Sequence, residues 1–242
     1  VESLDLAFTK ELVVSPDVFP ILYRSKITDI DSTYIPENYN YHFRNEATGE
    51  VKLATIAHDK SISIISKDTE RELRQGFVNP LNSGHQFLTK VLQDPSIDIV
   101  ACDAAAGTGK TVTAIASALR MVHLRKYESI IYIRASVNDV PKEEEIGIIP
   151  GSEEKLAPYL HPLNDSLEFI IRNKYKETKL KGAELDTFIN EKVEEYKKTY
   201  NITAMIGLGL RGRTLQNAFI IIDEPQNQSR SSLQKMLTRV GK

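Results

Sequence analysis

The run IDIVACDAAAGTGKTVTAIASALRMV, residues 97–122, constrains this chain more than any other stretch of it. Its opening, Ile97 to Asp103, is apolar enough to predict a strand buried on both faces. A loop carrying Gly107 and Gly109 follows, and then Val112, Ile115, Leu119 and Val122 recur on one helical stripe. The next run, SIIYIRAS from Ser129 to Ser136, reads as a second core strand. Strand, loop, helix and strand in that order define a βαβ unit. An α/β fold with a parallel sheet and a right-handed crossover is therefore expected.

The loop, DAAAGTGKT, matches the pattern of a glycine, four residues and then Gly-Lys-Thr, except that Ala104 stands at the first position. Loops of this pattern hold phosphate because successive backbone N–H groups and a helix N-terminus converge on the anion. Glycine is needed where φ is positive or where the backbone comes close to phosphate, and Gly107 and Gly109 supply it. Lys110 is placed for the β and γ oxygens of a nucleoside triphosphate, and Thr111 offers a hydroxyl to Mg2+. Ala104 lies at the strand exit, farther from the phosphates, and fits there if its φ is negative. The candidate nucleotide-binding stretch is thus Ala104, Ala105, Ala106, Gly107, Thr108, Gly109, Lys110, Thr111 and Val112.

A second constellation lies downstream in NAFIIIDEPQN, an apolar strand from Asn217 to Asp223 that ends in acids. It puts two carboxylates at the carboxyl edge of the sheet, beside the glycine loop. Asp223 is expected to hold Mg2+, directly or through water, and Glu224 to orient and deprotonate an attacking water.

The rest of the chain sets limits. Its 242 residues allow one large domain or two small ones, and a net charge of −2 gives no global electrostatic case for nucleic acid or a membrane surface. Cys102 is the single cysteine, so no disulfide forms within the chain; it reads as a buried small hydrophobe in a reducing, cytoplasmic protein. No run approaches the roughly eighteen apolar residues of a membrane span. Residues 1–38, with three prolines in SPDVFPILYRSKITDIDSTYIP, are expected to be an irregular linker or the tail of an upstream domain. Between Tyr39 and Ser66, YNYHFRN, VKLATIAH and SISIIS predict a three-stranded antiparallel meander, the heart of a small β subdomain over 39–75. In the core, 76–242, HQFLTKVLQ is a short helix, and residues 141–163, with four prolines and two glycines, are expected to form an ordered loop. Apolar residues at helical spacing then predict a helical insertion, a hairpin broken near Lys181-Gly182. A strand at 202–206 and a last helix carrying Leu233, Met236, Leu237 and Val240 complete the chain. The five histidines show no ligand spacing, so Mg2+ brought in with ATP is the only metal expected.

With both motifs placed, the chain from about Asn79 to Lys242 resembles the PhoH-like family of P-loop ATPases, relatives of superfamily 1 helicases. AAAGTGKT, IIYIRAS, IGIIPGSEEKLAPYLHPLNDSLEF and LRGRTLQNAFIIIDEPQN follow the family's order at similar spacing. The resemblance implies a RecA-like P-loop core and further roles by position. Gln86 matches a glutamine that reads adenine. Arg134 matches the arginine that ends the second core strand and faces the nucleotide or a bound strand. Gln226 matches a glutamine that senses the γ-phosphate. Arg211 and Arg213 are candidates for a charge supplied to ATP across a subunit interface, because the family forms rings, which also implies a homo-oligomer such as a hexamer. Three positions depart from the family pattern: Ala104 for glycine, Ala135 for proline and Pro225 for alanine. The family also continues past LTRVG with a further strand carrying Thr-Gly-Asp, so the four strands expected here leave the sheet short at one edge. The meander resembles the small β region that joins a PIN-type nuclease domain to the ATPase in one branch, but no nuclease acidic cluster is visible in residues 1–38, so no nuclease activity is expected.

Three functions fit: an ATP hydrolase coupled to single-stranded RNA, a nucleotide-dependent switch or assembly module without unwinding, and a degenerate P-loop scaffold. An RNA path needs a local patch, and the only basic run is RNKYKETKLK, with Arg172, Lys174, Lys176, Lys179 and Lys181 around Tyr175. A solvated helical face fits the same run, since Glu191, Glu194 and Glu195 follow it.

Overall fold

The computed structural model describes residues 9–31, 40–57, 59–134, 153–206 and 216–238. The chain divides into two units, residues 1–75 with 79–94, and residues 76–78 with 95–242.

In the first unit β1 (Thr9–Val14), β2 (Asn40–Asn45), β3 (Val51–Ile56) and β4 (Ile62–Ile64) form one sheet in that order. β2, β3 and β4 pair antiparallel, as the alternation in residues 39–66 implies, and Tyr41 and Phe43 point into the core. β1 pairs parallel to β2 and lies in the stretch expected to be an irregular linker. Its described part, residues 9–31, is ordered because Phe19, Leu22 and Ile27 bury in the same core as Tyr41, Phe43, Ala54 and Ile56. Pro20 does not prevent this, since it falls in the first turn of a short 3-10 segment, Phe19–Arg24, where no N–H is needed. Two helices follow. α1 (Lys67–Arg74) is polar nearly all round and was not visible as a periodic stripe. It starts where the Ser66 hydroxyl accepts from the Thr69 N–H at 3.1 Å, with Asp68 and Glu70 in its first turn. α2 (Ser83–Leu92) covers the predicted helix and stacks Phe87 on His42 with ring centroids 5.8 Å apart.

The second unit runs α3 (Lys110–His123), β5 (Ser129–Arg134), α4 (Glu153–Lys174), α5 (Gly182–Thr199), β6 (Ile202–Ile206), β7 (Ala218–Asp223) and α6 (Arg230–Leu237). The sheet is parallel in the order β6-β5-β7, the α/β arrangement that the alternation of elements implies. Side chains alternate along β5. Ile130 and Tyr132 pack with Ile115 and Leu119 of α3, Leu167 and Ile170 of α4 and Ile189 of α5. Ile131 and Ile133 form a separate cluster with Met205 and Ile222 on the other face. The helical insertion is a hairpin whose second arm begins at Gly182, in left-handed conformation (φ 57°).

Three further expectations need correction. Ile97 to Asp103 does not pair into the sheet, and Ile99 is 66% exposed. Apolarity alone suggested a buried strand, but apolar composition does not itself supply a ladder partner, and the run pairs with neither β6 nor β7 although their outer edges are open among the described residues. Cys102, on the same run, is accordingly exposed rather than buried. Residues 153–163, expected within a loop, belong to α4. Pro158 and Pro162 each delete one backbone hydrogen bond, yet the helix continues because Leu163, Leu167, Ile170 and Ile171 bury below them. Residues 141–152 lie outside the described residues.

Candidate functional site

The glycine loop turns into α3 through two left-handed residues, Gly107 (φ 76°) and Gly109 (φ 82°). Ala104 is not among the positive-φ residues, so the alanine sits where an ordinary residue is tolerated. Gly109 caps α3 without a side chain, leaving the first helical N–H groups free for an anion. A Cβ on Gly107 would meet nothing within 4 Å, so the cost of substitution there is conformational. Gly107→Ala is expected to lower stability by about 1–2 kcal/mol, read as a fall of a few degrees in the melting temperature, because the left-handed strain is already present in this loop.

The loop braces itself with its own polar groups. Lys110 Nζ donates to the carbonyls of Ala104 (2.5 Å) and Ala105 (2.9 Å), and the Thr108 hydroxyl donates to Ala105 O at 2.8 Å. Lys110 is thereby folded back onto the start of its own loop.

Asp223 ends β7, in register with Arg134 at the end of β5. Three donors converge on its carboxylate. Arg134 Nη1 lies 2.9 Å and Tyr132 OH 2.6 Å from Oδ2, while Thr111 Oγ1 donates to Oδ1 at 3.2 Å. The period of two along β5 explains the pairing: Tyr132 and Arg134 share the face on which Asp223 lies. Burial, reinforced by the neighbouring carboxylate, pushes the Tyr132 phenol well above its ordinary value, so it remains a proton donor throughout the physiological range. The Thr111 hydroxyl and one carboxylate oxygen at the mouth of a phosphate loop fit the small set of protein ligands that Mg2+ takes alongside phosphates and water. Among the described residues no group of three or more His, Cys, Asp or Glu side chains forms an alternative metal cage.

Glu224 is the strained residue of the site. Its backbone is left-handed (φ 53°, ψ 47°) although it is neither glycine nor asparagine and precedes a proline. The Gln226 amide donates to Glu224 Oε2 at 2.5 Å, which aims the carboxylate. Pro225 opens a 3-10 turn, Pro225–Asn227, at the position where a helical N–H has no partner, so the proline costs no main-chain bond.

The structure thus brings together Lys110, Thr111, Arg134 and Asp223, with Glu224 and Gln226 next along the chain. Gln86 belongs to the first unit, on α2, where its Oε1 is buried without a hydrogen-bond partner. Arg211 and Arg213 lie outside the described residues. Tyr132 is the residue that sequence reasoning missed; the signal was a lone hydroxyl in the otherwise aliphatic IIYI, two positions before Arg134.

The basic run spans the end of α4 and the hairpin turn. Arg172 Nη2 pairs with Glu168 and Asp186, each at 2.7 Å. Lys174 donates to Tyr196 OH at 2.9 Å and lies over that ring. Tyr175 packs edge-on against Phe188, with centroids 5.2 Å apart. Lys176, Lys179 and Lys181 stay exposed beside a cavity of about 150 Å³ that Tyr175, Leu180, Leu185 and Ile189 help to line.

A loop of this build, opening a helix on a parallel sheet, places the second unit among the P-loop nucleotide-binding folds. Residues 77–242 match the family described as PhoH-like protein, and the chain belongs to that family, whose members are of nucleotide-binding, ATPase type. It is similar to Protein PhoH2 of Bacillus subtilis, 29% identical over 96% of this chain and 50% of the relative. It is also similar to a PhoH-like protein of Synechocystis, 34% identical over 60% of this chain and 38% of the relative, and to Protein PhoH2 of Thermobispora bispora, 28% identical over 78% and 38%. The chain spans about half the length, or less, of these relatives. No helix among the described residues is long and apolar enough to cross a membrane.

Proposed function

We propose that this chain binds ATP with Mg2+ and hydrolyses it, and that hydrolysis is coupled to single-stranded RNA. The contact between Thr111 Oγ1 and Asp223 Oδ1 carries the reading, because it joins the glycine loop to the acidic strand end, elements far apart in sequence, at one point. Lys110 leaves the Ala104 and Ala105 carbonyls for the β and γ phosphates, an exchange of neutral acceptors for charged ones. Thr111 and Asp223 hold the metal, which when bound neutralises charge on the phosphates. Glu224 takes a proton from the attacking water, whose oxygen bonds to the γ-phosphorus as the bond to the ADP oxygen breaks; Gln226 keeps the carboxylate aimed. Gln86 is assigned to the adenine by the family resemblance alone. The protein works in the cytoplasm as a ring, with an arginine such as Arg211 or Arg213 supplied across the interface.

RNA coupling draws on the exposed Lys176, Lys179 and Lys181 at the hairpin turn. The alternative, a switch or assembly module without unwinding, is favoured by the engagement of Arg172 and Lys174 with protein partners. ATPase activity with and without single-stranded RNA separates the two, since only the coupled enzyme is stimulated. Replacing the three exposed lysines together with glutamine should flatten the plot of log affinity against log salt by about 2, at roughly 0.7 per phosphate contact on a single strand. A salt-independent or absent RNA interaction would leave the switch.

A further inference from the structure

We propose that Arg134 occupies the metal-binding carboxylate in the ligand-free site and competes there with Mg2+, while Tyr132 is a positioning residue that holds the same carboxylate whether or not the metal is present. The inference rests on the reading of Asp223 as the metal carboxylate. Arg134 and Asp223 are 26% and 14% exposed at the side chain, so their 2.9 Å pair is shielded from water and is more than a surface contact. The guanidinium neutralises a carboxylate that would otherwise stand half-buried with only hydroxyl donors, Thr111 and Tyr132. A divalent ion at Asp223 and Thr111 would face the Arg134 charge within a few ångströms, and the two cations repel. Arg134 must then yield Oδ2 as the metal arrives, which frees its five N–H donors for an anion. The phenol of Tyr132 carries no charge, donates to the same oxygen and has no reason to leave. The two neighbours of one carboxylate therefore act on metal affinity with opposite sign, which loss of a merely structural contact would not produce.

The test is Mn2+ binding, followed by its electron paramagnetic resonance, to the chain saturated with ADP. Arg134→Gln is expected to bind Mn2+ about tenfold more tightly than the parent, and Arg134→Lys, which keeps the cation, to stay close to the parent. Tyr132→Phe is expected to bind about threefold more weakly, since one hydrogen bond that orients the carboxylate is lost. Thermal melts in EDTA accompany each variant, so that a change in affinity is read only on folded protein. Unchanged or weaker Mn2+ binding in both Arg134 variants overturns the competition, and an unchanged Tyr132→Phe overturns the positioning role. Failure of the parent itself to bind Mn2+ removes the metal reading of Asp223, and the inference with it.

Discussion

Lys110→Ala is expected to lose ATP affinity by about a hundredfold, measured by titration with a fluorescent nucleotide, while the melting temperature of the free protein barely moves. Charge-assisted hydrogen bonds contribute about 1.5–3 kcal/mol each, and 1.4 kcal/mol is a factor of ten, so losing the ammonium contacts to two phosphates accounts for that drop. Stability changes little because the carbonyls that Lys110 now engages, on Ala104 and Ala105, lie on exposed loop residues and turn to water when it is removed. The helix it opens is anchored elsewhere, by Ile115, Ala118 and Leu119 in the core. Lys110→Arg should recover little, since the planar guanidinium does not fit a cradle sized for a point charge. Unchanged affinity in Lys110→Ala would mean that the loop, for all its geometry, does not hold a triphosphate.

What could be read from the sequence was what local chemistry determines. Positive φ at Gly107 and Gly109, the α3 stripe, the core strand β5 and the acidic end of β7 are each set within a few residues, and each stands where expected. The errors came where tertiary context decides. Ile97 to Asp103 has the composition of a core strand, but composition does not fix which edge, if any, a run pairs with, and it pairs with none of β5, β6 and β7. Thr9 to Val14 shows the converse: an unremarkable run beside three prolines becomes β1 because β2 has a free edge and Phe19, Leu22 and Ile27 fill the core beneath. α1 was hidden because its signal is capping at Ser66 rather than an apolar stripe. At the site, the Tyr132 and Arg134 contacts follow from the register of β5 on β7, a quantity that no local pattern encodes.

Replacing Glu224 by glutamine is expected to separate binding from chemistry. General-base catalysis contributes about 10²- to 10⁴-fold, so single-turnover phosphate release should fall by that range. ATP affinity should stay within about twofold if Glu224 acts on the attacking water as proposed, since a base for the water contributes to chemistry rather than to ground-state binding. The substitution is gentle locally: the replacement amide keeps an oxygen to accept from Gln226 Nε2, and a glutamine suffers the left-handed backbone at φ 53° no more than a glutamate does. Asp223 retains its three donors, so its carboxylate is not disturbed. Gln226→Ala tests the aiming separately. It leaves the base present but unoriented, so phosphate release should fall about tenfold, less than for Glu224→Gln. If Glu224→Gln released phosphate at the parent rate, the attacking water would have to lose its proton to another group or to the phosphate itself, and the strain stored at residue 224 would need a different explanation.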